Sequence, residues 1–130
     1  LNITAIMTTE QVEEVVKVLN HNVASFVSVF AGRIADTGVD PIPVMKETLN
    51  IMKSNAKSEL IWASPRELLN IFQGDEIGCH VITVTPDILK KLDLGALVTL
   101  PSSSPPTRIV SNEISCLINW PKLLVSPKFN

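Results

Sequence analysis

Short apolar runs alternate with amphipathic segments along the first 92 residues of the chain. The runs are LNITAIM, SFVSVFA, ELIWA and GCHVITV; each has the length of a β-strand, and three of them are nearly continuous in apolar residues. Between them, apolar residues recur every three or four positions, which is typical of helices that pack one face against a core. Strands that are apolar throughout are buried on both faces, as in parallel sheets. The pattern therefore predicts an α/β fold in which four strands alternate with four helices.

Capping residues mark the starts of the predicted helices. Thr8–Gln11 and Ser64–Glu67 have the spacing of capping boxes, in which the first and the last side chain each satisfy a free backbone amide. Asp40–Pro41 and Thr85–Pro86 place a proline at the first helical position. The third helix is therefore expected to begin at Ser64.

An apolar run meets a polar segment in residues 28–41, SVFAGRIADTGVDP. The buried strand is expected to end at about Arg33, and the glycines and aspartates around and after it predict a polar loop before the next helix. Asp36 and Asp40, on either side of Gly38, are interpreted as a turn residue and a helix cap. A carboxylate pair for acid–base chemistry is an alternative that nothing else in the sequence selects.

The composition changes after Leu92. Serines and prolines crowd the stretch LPSSSPPTRIV, and further prolines interrupt the apolar patches near the end. We divide the chain into residues 1–92, a series of (β/α) units, and residues 93–130, a Pro/Ser-rich tail without a well-predicted element beyond about residue 96. The alternative for the tail is an irregular apolar segment that folds back over exposed core.

The composition of the chain argues against several classes of function. The chain has 130 residues, enough for one core of ordinary size. A formal net charge of −2 gives no basic field that would collect the phosphates of a nucleic acid, so we expect no nucleic-acid partner. No apolar stretch approaches the roughly 20 residues that cross a bilayer, so no membrane is expected either. Cys79 and Cys116 are far apart, which indicates neither a metal site nor a disulfide framework and favours a reducing, cytoplasmic location.

Polar side chains follow the predicted strands at their carboxyl ends, where sites form in parallel α/β folds. Arg33 follows the second strand, and Ser64 and Arg66 follow the third. A helix start offers unsatisfied backbone donors, and arginine adds a fork geometry that suits phosphate oxygens. These residues form a candidate phosphate-binding site. The alternatives are that Ser64 is only an N-cap and that the arginines are solvated or paired with a neighbour such as Asp36.

Other notable side chains have simpler interpretations. Thr4 lies in the first predicted strand, where threonine is a common residue. His80 lies in a strand expected to be buried, which favours a hydrogen-bonded core imidazole over a catalytic base or a metal ligand. Trp62 is expected in the core, whereas Trp120 in the tail is ambiguous.

Four strings in the chain resemble the second half of the transaldolase family, most closely its short-chain members and the related fructose 6-phosphate aldolases: NITAI, VSVFAGRIADTGVDP, LIWASPRELLNIFQ and GCHVITVTPDILKKL. The resemblance covers residues 1–92, with matching order and spacing. It implies units five to eight of an eight-unit (β/α) barrel of the TIM type, with a sugar phosphate as substrate. By position, it implies that Arg33, Ser64 and Arg66 bind the substrate phosphate and that Thr4 faces the reacting carbon.

Enzymes of this family form a Schiff base between a lysine amine and the ketone of a donor sugar, and they pass a dihydroxyacetone unit to an aldehyde. The resemblance puts that lysine on the fourth barrel strand and the acid–base carboxylates on the first and third, all before Leu1. The lysines of this chain, including Lys17, Lys46, Lys53 and Lys57, fall on predicted helices or helix ends and match none of these positions. We therefore expect no catalytic residue, cofactor or metal here and no activity from the chain alone. The alternative is a non-catalytic module that binds sugar phosphates or supports assembly.

Half a barrel leaves two free strand edges and an inner face that the other half would cover. Apolar burial stabilises a fold by roughly 25 cal/mol per Å², and the total stability of a typical protein is about 5 to 15 kcal/mol. An uncovered apolar face would therefore forgo a large part of the free energy of folding. We expect the chain to self-associate or to need a partner segment that supplies the missing half. A truncated or frame-shifted reading frame would explain both the missing start and the departure from the family after Leu92.

Overall fold

The structure is a computed structural model that describes residues 1–91, 107–111 and 117–119. Within these residues the chain forms one six-stranded sheet and a series of helices. The strands are β1 (Asn2–Ile6), β2 (Ser25–Val29), β3 (Ser58–Trp62), β4 (Val81–Val84), β5 (Arg108–Ser111) and β6 (Leu117–Asn119). The helices are α1 (Thr9–Val18), α2 (Ala31–Asp36), α3 (Pro41–Met52), α4 (Leu69–Glu76) and α5 (Pro86–Lys90).

The order of strands in the sheet follows the order of the chain. β1 to β5 are parallel, and β6 is antiparallel to β5. The crossovers between β1 and β4 each contain a helix, as parallel connections require. Among the described residues the sheet does not close on itself, so β1 and β6 are its edges. The predicted α/β fold is confirmed, and the architecture is consistent with part of a (β/α) barrel.

The main core lies between the sheet and the helices. Alternate residues of the central strands point toward the helices and are buried, and Trp62 is the largest of them, with no exposed surface. Met45 of α3 and Ile71 of α4 belong to the same cluster. The prediction that Trp62 is a core residue is confirmed. The residues of β2, β3 and β4 in this layer are Val27, Val29, Leu60, Trp62, Ile82 and Val84.

The opposite face of the sheet carries a smaller apolar cluster. Paired residues of neighbouring parallel strands point to the same face, so Ser28 of β2 and Ile61 of β3 lie on it together. The central strands therefore bury residues on both faces, as their nearly continuous apolar runs predict. The cluster contains Ile61, Ala63 and Val81, with Phe26, Phe30 and Val110 packed against them.

Two of the predicted helix starts have the expected caps. At α1, the Gln11 amide donates to Thr8 Oγ1 at 3.3 Å and the Thr8 amide donates to Gln11 Oε1 at 3.2 Å, which completes a capping box. At α3, the Ile42 amide donates to Asp40 Oδ1 at 3.0 Å, with Pro41 at the first helical position. α5 also begins at its predicted proline. Side-chain caps therefore mark where α1 and α3 start.

The predicted capping box that begins at Ser64 is wrong. Ser64 has a φ of 57°, in the left-handed region, and α4 begins only at Leu69. Asn70 explains the delay, because its Oδ1 accepts hydrogen bonds from the amides of Arg66 at 2.8 Å and Glu67 at 3.2 Å. A side chain from within the helix thus reaches back and holds the preceding residues in a turn.

The predicted polar loop in residues 28–41 is partly wrong. β2 ends at Val29, before the expected position, and α2 replaces the first part of the loop. Ala31 and Ile34, three positions apart, are buried and give this short segment an apolar face. Gly38, with a φ of 83°, takes the left-handed conformation that often follows a helix end, so the predicted turn lies there.

A segment of the tail continues the sheet. β5 pairs with β4, and Ile109 within it is buried. Thr107 holds the start of this strand, because its amide donates to Asp75 Oδ1 at 3.1 Å and its hydroxyl donates to the carbonyl oxygen of Cys79. The division of the chain into a series of (β/α) units, residues 1–92, and a tail, residues 93–130, stays a prediction. Most of the tail, including Trp120, lies outside the described residues.

His80 connects β3 to β5 near the amino-terminal ends of the strands. The Leu60 amide donates to His80 Nδ1 at 3.0 Å, and the His80 carbonyl accepts from the Arg108 amide at 2.9 Å. Burial lowers the pKa of His80; Glu59 opposes this effect and Arg108, which forms an ion pair with Glu59, adds to it. The expected hydrogen-bonded imidazole is confirmed, although the side chain is half-buried and precedes β4 rather than lying within it.

We predict that stability falls as the pH drops through the ordinary His80 pKa of 6.5 toward its lowered value in the folded protein. The unfolded chain binds a proton on His80 first, and protonated Nδ1 cannot accept from Leu60. His80→Asn places a non-titrating oxygen near the position of Nδ1 and should flatten the profile between about pH 7.5 and 5.5. Urea unfolding across this range measures the effect. His21→Asn, at the exposed histidine, is the control that should keep the slope; an unchanged slope in His80→Asn would contradict the prediction.

Candidate functional site

The carboxyl ends of β2 and β3 are adjacent, and each is followed by a segment that carries predicted site residues. These segments are α2 and the β3–α4 turn, residues 63–68. The Ala63 amide donates to the Val29 carbonyl at 2.8 Å, and the Gly32 amide donates to the Ala63 carbonyl at 3.3 Å. The first turn of α2 is therefore bonded directly to the β3–α4 turn.

Gly32 lies against the carbonyl group of Ser64. A Cβ atom on Gly32 would be 1.5 Å from the Ser64 carbonyl oxygen and 2.6 Å from the carbonyl carbon. A side chain at this position would displace either α2 or the β3–α4 turn. Sequence reasoning did not select Gly32, because a glycine next to an alanine and an arginine gives no local sign of a tertiary contact.

Arg66 is held by Asp36, the last residue of α2. Nε of Arg66 lies 3.2 Å from Oδ1 and 3.1 Å from Oδ2 of Asp36, and Nη2 lies 2.5 Å from Oδ2. The carboxylate therefore contacts one edge of the planar guanidinium group with two nitrogens. The two side chains are 51% and 50% exposed, so the pair adds little to the stability of the fold. Its main structural effect is to tie the β3–α4 turn to α2.

Arg33 is exposed on α2, and its guanidinium carbon lies 5.2 Å from the centre of the Phe30 ring. This distance is within the range of a cation–π contact. Arg33 and Asp36 are three positions apart on a helix, so they lie on the same face of α2. Since Asp36 holds Arg66, this face of α2 carries one arginine and binds the other.

Ser64 is half-buried in the β3–α4 turn. The helix start that was expected to help it bind an anion is not there, because α4 begins at Leu69 and the amides of Arg66 and Glu67 already donate to Asn70. An anion at this turn would therefore contact a hydroxyl and guanidinium groups rather than the amides of a helix start. The local sequence could not reveal this, since the serine and the proline after it match a capping pattern well.

Thr4 lies on the edge strand β1, where it is exposed. It lines a groove of about 450 Å³ between β1 and α1. The strand is irregular here, because Ala5 has a φ of 64° and the register with β2 shifts between Ile3 and Ile6. Neither this groove nor a second one of about 380 Å³ near α1 is lined by any of the three predicted phosphate-binding residues. In the described structure, Thr4 shares its groove with residues of α1 instead.

The lysines among the described residues are all exposed and lie on helices or in the turns beside them. Lys17, for example, pairs with Glu14 of the same helix at 2.7 Å. An exposed ammonium group stays protonated near neutral pH and is a poor nucleophile. These lysines are Lys17, Lys46, Lys53, Lys57, Lys90 and Lys91.

Cys79 is the buried thiol of the described residues, and burial raises its pKa to about 12, so it is not a reactive thiolate. Across the ranges that the structure describes, no group of three or more histidine, cysteine, aspartate or glutamate side chains is placed to hold a metal ion. In the same part of the chain, no helix has the length and apolar character needed to cross a membrane.

The chain is similar to known proteins over most of its length. A family model described as transaldolase/fructose-6-phosphate aldolase matches residues 1–122. Probable transaldolases of Mesorhizobium japonicum and Clostridium acetobutylicum are 40% and 37% identical over 70 residues, and that of Nitrosopumilus maritimus is 32% identical over 71 residues. Each alignment covers 53% of this chain and 32% or 33% of the relative. The chain thus spans about one third of the length of these relatives.

We predict that Gly32→Ala destabilises the fold by more than about 2 kcal/mol, because the new methyl group would overlap the Ser64 carbonyl. Gly38→Ala is the matched control: its Cβ would have nothing within 4 Å, so only the left-handed backbone costs about 1 kcal/mol. Urea unfolding of both variants measures the difference. Equal losses would contradict the close approach of α2 to the β3–α4 turn.

Proposed function

Because the chain belongs to the transaldolase and fructose-6-phosphate aldolase family, which acts on sugar phosphates, we propose that it binds the phosphate of a sugar phosphate through Arg33, Ser64 and Arg66. The family match agrees with the resemblance of the four sequence strings. In this proposal the ligand is of the fructose 6-phosphate class, and Thr4 faces its reacting carbon. Two guanidinium groups and a hydroxyl supply donors that suit the oxygens of a phosphate.

The contact between α2 and the β3–α4 turn is the observation that carries the proposal. The hydrogen bond from Gly32 to Ala63 and the ion pair from Asp36 to Arg66 join the segment with Arg33 to the segment with Ser64. A phosphate group needs donors from several directions, and in this proposal the two segments supply them. The carboxyl ends of parallel strands are also where (β/α) barrels build their sites.

We further propose that this chain does not supply the catalytic lysine. In the family reaction, the lysine amine attacks the ketone of the donor sugar, and the iminium then accepts the electron pair of the breaking carbon–carbon bond while a dihydroxyacetone unit is transferred. The described lysines are exposed on helices and in turns, and an exposed ammonium group is a poor nucleophile. The chain alone would therefore bind sugar phosphates without turning them over.

The alternative is a non-catalytic module whose sugar-phosphate site serves binding or assembly in sugar-phosphate metabolism. The open sheet favours assembly, because β1 is an edge strand whose outer backbone groups can pair with another strand. Self-association or a partner half-barrel would cover that edge, and the free thiol of Cys79 suits the reducing cytoplasm. A compact, cooperatively melting monomer in size-exclusion chromatography and thermal unfolding would contradict the assembly proposal.

Arg33→Ala should weaken the binding of inorganic phosphate and of fructose 6-phosphate by about 10- to 100-fold, because a lost charge-assisted hydrogen bond costs about 1.5–3 kcal/mol. Isothermal titration calorimetry measures both affinities. Lys46→Ala, which removes an exposed positive charge from α3, is the control and should bind both ligands as the unmodified chain does. Equal affinity in Arg33→Ala and the unmodified chain would exclude Arg33 from the phosphate site.

Borohydride reduction in the presence of fructose 6-phosphate should leave the chain without a covalent adduct, because none of the described lysines is placed as a nucleophile. Intact-mass spectrometry reads the result, and a complete transaldolase treated in parallel shows that trapping works. A trapped adduct on any lysine of this chain would mean that it performs the covalent step itself.

A further inference from the structure

We propose that Asp36 is a positioning residue that fixes Arg66 so that the free edge of its guanidinium group meets the phosphate. This inference rests on the proposed phosphate site and adds a residue to it. Asp36 contacts Arg66 and would not touch the ligand itself. Its role would be to hold a long side chain in one orientation before the ligand arrives.

The geometry of the ion pair determines which edge of Arg66 is free. Asp36 contacts Nε and Nη2, which form the side edge of the guanidinium plane. Nη1 and the outer hydrogen of Nη2 form the end edge, which points away from the carboxylate. Those two N–H groups make the fork that matches a pair of phosphate oxygens. The ion pair thus occupies one edge and leaves the other available.

α2 connects the two arginines of the site. Arg33 and Asp36 lie on the same face of this helix, and Asp36 holds Arg66 of the β3–α4 turn. Gly32 anchors the same helix to that turn through its contact with Ser64. One short helix therefore carries the first arginine and orients the second.

The charge of Asp36 has a second effect on the unliganded site. The Asp36 carboxylate offsets part of the positive charge of the guanidinium group that it contacts. The carboxylate would also repel a bound phosphate, so removing it could tighten binding if its charge outweighed its positioning effect. Both side chains are about half exposed, so water screens this repulsion, whereas the orientation of Arg66 depends on the direct contact. Positioning is therefore expected to dominate.

Asp36→Asn should weaken phosphate binding by about 5- to 20-fold, since the orientation of a rotamer-rich arginine must then be fixed on binding. Asp36→Glu, which keeps the carboxylate, should recover part of the loss. In an Arg66→Lys background, Asp36→Asn should have no further effect, because lysine has no side edge to hold. Asp40→Asn is the matched control: it removes the same charge from the cap of α3 and should not weaken phosphate binding. Calorimetric titration with inorganic phosphate measures all five variants.

A spectroscopic readout tests positioning without any ligand. The Nε–H group of Arg66, which donates to Asp36, should give a resolved and slowly exchanging NMR signal in the unmodified chain and lose it in Asp36→Asn. If Asp36→Asn loses this signal but binds phosphate equally well or more tightly, the positioning role is overturned while the phosphate site stands. If the unmodified chain binds no phosphate, or if Arg33→Ala has no effect, the phosphate site itself fails and this inference fails with it.

Discussion

The absence of a side chain at Gly32 allows α2 to touch the backbone of Ser64, and the arrangement of the candidate site depends on that contact. β2 and β3 bring their carboxyl ends together by ordinary parallel pairing, but pairing alone would leave the following segments free to diverge. The close approach at Gly32 joins these segments, and the ion pair between Asp36 and Arg66 connects them a second time. Strand pairing therefore sets the position of the candidate site, and two specific tertiary contacts hold its two segments together.

The sheet shows how part of a barrel can build a continuous core. Trp62 and its neighbours fill the layer under the helices, as they would in a closed barrel. The other face, which a barrel would enclose, carries a smaller cluster around Ile61. β5 also covers the edge of β4, held there by the hydrogen bonds of Thr107. Whether such a sheet stays open or closes into a barrel therefore depends on which strands pair with its two edge strands.

Much of the fold could be predicted because its signals are local. Thr8 and Asp40 cap helices by contacts within one turn, and the apolar strands select a parallel sheet through their own composition. The errors occurred where tertiary contacts overrode a local pattern. Ser64 and the proline after it resemble a helix start, yet Asn70 and the contact with Gly32 hold a turn instead. For the site, the residue types and strand ends indicated the arginines, and Asp36 was one possible partner for them. Which arginine Asp36 holds could not be predicted, because Asp36 and Arg66 are 30 positions apart in the chain.

The agreement between strand order and chain order has a consequence for biosynthesis. β2, β3 and β4 each pair with the strand that precedes them in the chain, so each finds its template already present as the polypeptide leaves the ribosome. Among the described strands, each of these three can therefore form its first ladder as soon as it is made. β5 comes later in the chain, and it pairs with the free edge of β4 instead of inserting between strands that are already joined. Translation and sheet growth therefore proceed in the same direction.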